Sequence, residues 1–133
     1  IKVWLFMKDE TKLWLDYAKE NLLSAQILLE SSLYNTVLQN TQQSIEKDLK
    51  ALFVEKGIKL QKTHSISSLV ETLKQNNIII DISEDDMDLI DSIYLSSKYP
   101  FGSVLPDFEP DNSICETCIN IAINIKEDVK TYL

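Results

Sequence analysis

Residues 35–56 read NTVLQNTQQSIEKDLKALFVEK, and this stretch decides the fold. Non-polar side chains recur in it at spacings of three and four, the period of an amphipathic α-helix, and polar side chains recur at the same spacing on the other face. The first row comprises Val37, Leu38, Thr41, Ile45, Leu49, Leu52 and Phe53, and the second comprises Gln39, Gln43, Glu46 and Lys50. Because a long helix has to bury its apolar face against other helices, the stretch predicts a helical bundle.

Four further segments carry helix signals. The predicted helices begin at Asp9 or Thr11, at Thr63 or Ser65, at Ser83, and at Asp111 or Ser113, residue types that cap helices well. Gly57 is placed to end the central helix, and residues 78–80 form an apolar connection rather than a strand. The short connection at residues 31–35 predicts an antiparallel first pair. The sequence therefore predicts an all-α fold, an up-and-down bundle of four to five helices.

The length of 133 residues and the apolar fraction of 44% are typical of one globular domain. We assign residues 11–133 to the helical domain and residues 1–10 to an N-terminal extension. Met7 is a candidate native start, in which case residues 1–6 derive from cloning or from an upstream reading frame. No apolar run of about 18 residues occurs, so we expect no association with a membrane. The short apolar patch at residues 3–7 has no small-residue cleavage site after it, so we expect no signal peptide. Reduced cysteines in a chain without a signal peptide then favour a cytoplasmic protein.

The charge pattern limits the classes of partner. The net charge is −8, which argues against non-specific binding to DNA because the phosphate backbone requires clustered cations. All 13 basic residues are lysines. The chain therefore lacks the planar, bidentate side chain that arginine offers to phosphate.

The two cysteines, Cys115 and Cys118, form a C-x-x-C spacing. This spacing is found in redox and metal sites, but here it lies in a helical pattern, and the chain has one histidine and no second cysteine pair. We therefore interpret both cysteines as small residues of the core, and we expect neither a metal nor a cofactor.

Three segments together resemble a known family. They are QQSIEKDLKALF at residues 42–53, KTHSISSLVETL at 62–73 and SIYLSSKYPF at 92–101. In this order they resemble the HEPN domain, an all-helical domain of prokaryotes and some higher eukaryotes. The resemblance implies a bundle that commonly dimerises, a proposed role in nucleotide binding, and a nucleotidyltransferase partner encoded beside the domain or fused to it. Apolar residues beyond a single face of the first and last helices favour the dimer.

Many HEPN relatives are ribonuclease toxins of toxin–antitoxin pairs. Their motif is an Arg followed four to six residues later by a His. The two residues lie near the end of a helix and act across the dimer interface. This chain has Lys98-Tyr99-Pro100 at the corresponding place, with no His after it and no Arg anywhere. We therefore expect a non-catalytic HEPN module that binds a nucleotide or a nucleotidyltransferase partner in a toxin–antitoxin-like system. The alternative is a degenerate or partner-dependent HEPN ribonuclease toxin.

Four residues are candidates for nucleotide binding. Thr63 and His64 stand at the start of a predicted helix, where backbone N–H groups attract anions; alternatively, His64 fixes the loop. Lys98 and Tyr99 would bind a phosphate and stack on a base; alternatively, they neutralise the end of a helix and pack on the bundle. Glu46 and Lys50 of the polar row, together with Lys47, are expected to face solvent or a partner. No residue is assigned a catalytic role.

Overall fold

The computed structural model describes residues 4–98 and 109–133. A short 3-10 turn at Trp4–Phe6 precedes five helices: α1 (Asp9–Glu30), α2 (Tyr34–Glu55), α3 (Ile66–Gln75), α4 (Glu84–Lys98) and α5 (Asn112–Tyr132). No strand occurs within the described ranges. The predicted all-α bundle is therefore confirmed.

Helix α2 forms the centre of the bundle and packs against all four other helices. Fourteen of its 22 residues are buried, and these include polar residues as well as the predicted apolar row. Glu46 and Lys50 are only 4% and 8% exposed, and Lys47 is half-buried. Glu46 and Lys50 therefore do not face solvent, because Trp14 of α1 and His64 of the loop before α3 lie against them, and a contact with a partner stays a prediction.

Helices α1 and α2 form an antiparallel hairpin joined by the turn Ser31–Leu33. Ser32 adopts a left-handed conformation with φ +57°, and the amide of Leu33 donates to the carbonyl of Leu28 at 3.3 Å. At the other end of α2, Gly57 has φ +68° and the amide of Ile58 donates to the carbonyl of Phe53 at 2.8 Å. The left-handed Gly57 and the hydrogen bond from Ile58 to Phe53 form the C-terminal cap of α2, as predicted.

Three predicted N-caps are confirmed. The side chains of Ser65, Ser83 and Asp111 accept hydrogen bonds from amides of the first turns of α3, α4 and α5. The start of α1 differs, because Lys8 holds the cap position without a side-chain cap. Thr11 lies inside α1 and donates its hydroxyl to Glu55 at 2.8 Å. A tertiary contact to α2 therefore replaces the local cap that the sequence predicts.

Residues 78–80 form an apolar connection rather than a strand, as predicted. Ile78 and Ile80 are buried. The backbone of Ile79 both donates to and accepts from the Tyr132 hydroxyl, at 3.2 and 2.8 Å. The connection is thus bound to α5. No helix in the described part of the chain is long and apolar enough to cross a membrane.

Candidate functional site

The centre of the candidate site is the buried carboxylate of Glu46. Its Oε1 lies 3.0 Å from Nδ1 of His64 and accepts from Nε2 of Gln42 at 3.3 Å, and its Oε2 accepts from Nζ of Lys50 at 3.0 Å. Because an ionised carboxylate only accepts hydrogen bonds, Nδ1 of His64 has to be the donor. Three donors from two elements therefore surround one negative charge.

This arrangement fixes the His64 imidazole. The ring stacks on the Tyr94 ring of α4, with centroids 4.9 Å apart and an interplanar angle of 19°. The His64 side chain is nevertheless 54% exposed. With Nδ1 engaged by Glu46, Nε2 is the ring nitrogen left for a ligand or for proton transfer.

Gln42 holds the backbone of the same residue. Its Nε2 also donates to the carbonyl of His64 at 3.1 Å, and its Oε1 accepts from Nε2 of Gln43 at 2.8 Å. Gln42 is almost fully buried. Helix α2 therefore positions His64 through both its ring and its main chain.

Lys50 closes the buried side of the cluster. Its Nζ lies 5.9 Å from the centre of the Trp14 ring of α1, a distance at which the ring face attracts a cation. The acid-first i,i+4 pair of Glu46 and Lys50 is thus a buried ion pair between an indole and an imidazole. Removing one partner of a buried ion pair lowers the stability of the protein far more than removing one partner of an exposed pair does.

Lys47, which was predicted to face solvent or a partner, belongs to a separate cluster. Its Nζ donates to Oδ1 of Asn21 at 2.7 Å and lies 5.7 Å from the centre of the Tyr17 ring. It therefore packs on α1 and does not reach the Glu46 carboxylate.

Asp91 of α4 caps the N-terminus of α3. It accepts from the amides of Ile66 and Ser67 at 2.7 and 3.3 Å, and from the Ser67 hydroxyl at 2.7 Å. A carboxylate therefore already occupies amides that were expected to attract a phosphate, which argues against anion binding through them, and nucleotide binding at Thr63 and His64 stays a prediction. Thr63 takes a local role, because its hydroxyl oxygen accepts from the amide of Ser65 at 3.1 Å.

Replacing Asp91 by alanine should lower the free energy of unfolding by about 1–2 kcal/mol, the usual effect of a lost helix cap. For a domain of this size, we expect the melting temperature to fall by several degrees. Asp88→Ala, which removes an exposed carboxylate from the same helix, is the matched control and should change stability by less than about 0.5 kcal/mol. Equal losses in the two variants, measured by urea unfolding, would contradict the assigned cap.

Of the sequence candidates, Thr63 and His64 are neighbours in the loop before α3. Lys98 is the last residue of α4, one helical turn after Tyr94, so the end of α4 lies near the loop that carries Thr63 and His64. Tyr99 lies outside the described residues. The sequence analysis did not assign Gln42, Tyr94 or Asp91 to the site. The sequence feature that could have identified Gln42 is its spacing from Glu46 and Lys50, since the three residues stand at i, i+4 and i+8 on one face of α2.

The two cysteines lie in the core, as predicted. Both are fully buried on α5 and neither forms a disulfide. Burial raises the pKa of Cys115 to about 11 and that of Cys118 to about 12. Because the thiolate is the reactive form, both are inert at neutral pH. Residues 4–98 and 109–133 contain no group of three or more His, Cys, Asp or Glu side chains placed to hold a metal.

Comparison with known proteins identifies the family. The HEPN domain model matches residues 11–132. The chain belongs to the HEPN family. A protein of Methanocaldococcus jannaschii named "Putative toxin MJ1304" is 28% identical over 138 residues, which cover 92% of this chain and 87% of the relative.

Two solved structures resemble this HEPN chain. The crystal structure of TT1696 from Thermus thermophilus has a TM-score of 0.78 and 26% identity, covering 95% of this chain and all of that one. The crystal structure of ST0689, an archaeal HEPN homologue, has a TM-score of 0.68 and 26% identity, covering 91% and 95% of the two chains. The fold and the family therefore agree with the resemblance seen in the sequence.

Proposed function

We propose that this protein is a non-catalytic, cytoplasmic HEPN module of a toxin–antitoxin-type pair. In this proposal it forms a homodimer and binds a nucleotide, or a nucleotidyltransferase partner, at the cluster of Glu46, Lys50, His64 and Tyr94. The toxin name of the archaeal relative supports the setting. The lack of arginine in the chain argues against a family-type ribonuclease.

One observation carries the proposed site: an exposed imidazole is held in one orientation by a buried carboxylate. The anchor would also suit a histidine that fixes the loop, whereas the 54% exposure of the side chain makes the ring accessible to a ligand. Glu46 and Gln42 fix the ring and its main chain, and Tyr94 supports one ring face. Such an arrangement is already ordered before a ligand arrives, which reduces the entropy cost of binding.

Thermal unfolding with a panel of nucleoside di- and triphosphates, with and without magnesium, tests nucleotide binding. A ligand at about 100 times its Kd adds about 2.7 kcal/mol to stability. For a domain of this size the melting temperature should then rise by several degrees. We expect His64→Ala to abolish the rise for the bound nucleotide, while Lys62→Ala, an exposed neighbour outside the cluster, retains it.

The outcomes separate the two kinds of ligand. A rise that survives His64→Ala would move the nucleotide away from the cluster. No rise across the whole panel would remove nucleotide binding from the proposal. A nucleotidyltransferase would then be the remaining partner, to be tested by co-expressing this chain with any nucleotidyltransferase that its genome encodes beside it.

The ribonuclease alternative is favoured by one feature of the site. A carboxylate that binds one nitrogen of an imidazole holds the other nitrogen ready to exchange a proton, as general acid–base catalysis requires. His64 is the only histidine, so a second acid–base group would have to be another residue type. RNA cleavage by a nuclease-free preparation, lost on His64→Ala, would replace the non-catalytic proposal with this one.

A further inference from the structure

A cavity of about 500 Å³ lies between α1, α2 and α5. Asp48, the residue of α2 that lines it, stands two residues after Glu46, and two residues turn an α-helix by about 200°. The cavity therefore lies on the opposite side of α2 from the Glu46 cluster. Its volume falls within the range of about 300–1,000 Å³ that is usual for small-molecule sites.

One part of the cavity lining is apolar. It consists of Trp4 and Met7 from the segment before α1, Leu15 of α1, and Leu133 after α5. Met7 and Leu15 are only partly buried, and Trp4 is 48% exposed. A ligand that covered these side chains would remove apolar surface from water, which favours binding.

The rest of the lining is charged, and its cations outnumber its anions. It consists of three ammonium groups and two carboxylates, those of Lys19, Lys126, Lys130, Asp16 and Asp48. This excess of positive charge is opposite in sign to the net charge of the whole chain, which is −8. The cavity therefore combines an apolar wall with a local attraction for anions.

The two lysines of α5 differ in how firmly they are held. Lys130 pairs with Glu127 at 3.2 Å, but the two side chains are 61% and 66% exposed, and exposed pairs of this kind are weak. Lys126 lies 3.0 Å from the carboxylate of Asp48, and its side chain is 17% exposed. Lys130 is therefore free to turn to a ligand, whereas a ligand has to share Lys126 with Asp48.

We propose that this cavity binds a small organic anion that has one acidic head group and an apolar body. The head group lies on Lys126 and Lys130, and the body packs on the apolar wall. A second negative charge beside Asp48 opposes the ionisation of its carboxyl group. Above the pKa of Asp48, binding of the anion is therefore coupled to the uptake of one proton from water by this carboxylate.

This coupling gives the affinity a definite pH dependence. Burial raises the pKa of Asp48 to about 6, so below this pH the three ammonium groups are opposed by the Asp16 carboxylate alone. The anion should then bind most tightly. At higher pH Asp48 has to take up a proton first, and we expect the dissociation constant to increase about tenfold between pH 5.5 and 7.5.

Isothermal titration calorimetry with 1-octanesulfonate tests the site, because this sulfonate stays ionised over the whole pH range. We expect saturable binding of one molecule per chain at pH 5.5. Octylammonium, which has the same apolar chain and the opposite charge, should bind at least about tenfold more weakly. Asp48→Asn should bind the sulfonate with the same dissociation constant at pH 5.5 and 7.5.

Two lysine variants test the head-group contacts. The double variant Lys19→Ala with Lys130→Ala removes two exposed cations from the cavity and should weaken sulfonate binding about tenfold. Lys74→Ala, which removes an exposed cation from α3, is the matched control and should leave the affinity unchanged. The helical signal in circular dichroism checks that each variant is folded.

Three results would contradict the proposal. Equal affinities for octanesulfonate, octanol and octylammonium would show an apolar cavity that does not select anions. Absence of saturable sulfonate binding at pH 5.5 would remove the site altogether. A pH dependence that persists in Asp48→Asn would show that the coupled proton does not bind to Asp48.

Discussion

Replacing Glu46 by alanine is expected to lower the free energy of unfolding by about 3–5 kcal/mol, the usual cost of leaving one partner of a buried ion pair without its counter-charge. The change would strand the ammonium of Lys50, which is 8% exposed and has its carboxylate partner 3.0 Å away. It would also remove the acceptor for Nδ1 of His64. A loss of this size is a large part of the stability of an ordinary domain.

Urea unfolding measures the effect, and two comparisons interpret it. Glu71→Ala removes an exposed carboxylate from α3 and should change stability by less than about 0.5 kcal/mol. The double variant Glu46→Ala with Lys50→Met should be more stable than Glu46→Ala alone, since it removes the stranded charge. A loss below about 1 kcal/mol in Glu46→Ala would show that the carboxylate does not neutralise a buried cation.

The second large effect is a pH dependence caused by Asp48. Burial raises the pKa of this carboxyl from 3.8 to about 6, although the nearby ammonium of Lys126 lowers it. Nζ of Lys126 donates to Oδ1 at 3.2 Å and lies 3.0 Å from Oδ2, which accepts no hydrogen bond from the described residues. The ammonium groups of Lys126 and Lys130 together do not offset the loss of water around a fully buried charge.

The direction follows from proton binding in the two states. Between pH 3.8 and about 6 the folded protein holds the Asp48 proton and the unfolded chain has lost it. The contribution of Asp48 to the free energy of unfolding is therefore present at low pH and is lost as the pH rises to about 6. At 1.36 kcal/mol per pKa unit, the loss amounts to about 3 kcal/mol.

Asp48→Asn should remove this dependence. We expect the stability of the variant relative to wild type to rise by up to about 3 kcal/mol between pH 4 and 6.5 and then to stay constant. Asp88→Asn, an exposed carboxylate on α4, controls for the change in net charge. A relative stability that falls over this range in denaturant titrations would mean that the folded state favours the charged form of Asp48.

The helices and most of their ends could be predicted from the sequence because the signals are local. Apolar spacing, Gly57, and the caps Ser65, Ser83 and Asp111 act within a few residues of one another. The burial of Glu46 could not be predicted in this way. Its spacing to Lys50 is equally compatible with an exposed pair, and the side chains that cover the two, Trp14 and His64, come from other segments. Spacing along one helix does not reveal what another segment places above it.

The same limit applies to the start of α3. Ser65 was recognised as a cap, but Asp91, which completes it, lies 25 residues from Ile66. That carboxylate already accepts hydrogen bonds from the first amides of α3, so these amides are occupied. The loop that carries His64 was therefore placed correctly before α3, and Asp91 argues against the anion-binding mechanism predicted for it.

The position of the α1–α2 hairpin early in the chain has a consequence during translation. The α1–α2 hairpin is complete in the sequence at Glu55, whereas α5 ends at Tyr132. At about 5–20 residues per second, the ribosome needs roughly 4–15 s to make the segment between them. During this time the side of α2 that α5 later covers has no partner from that helix. Lys126, the ion-pair partner of Asp48 in the folded protein, lies in that later segment, so Asp48 can form this pair only after α5 has been made.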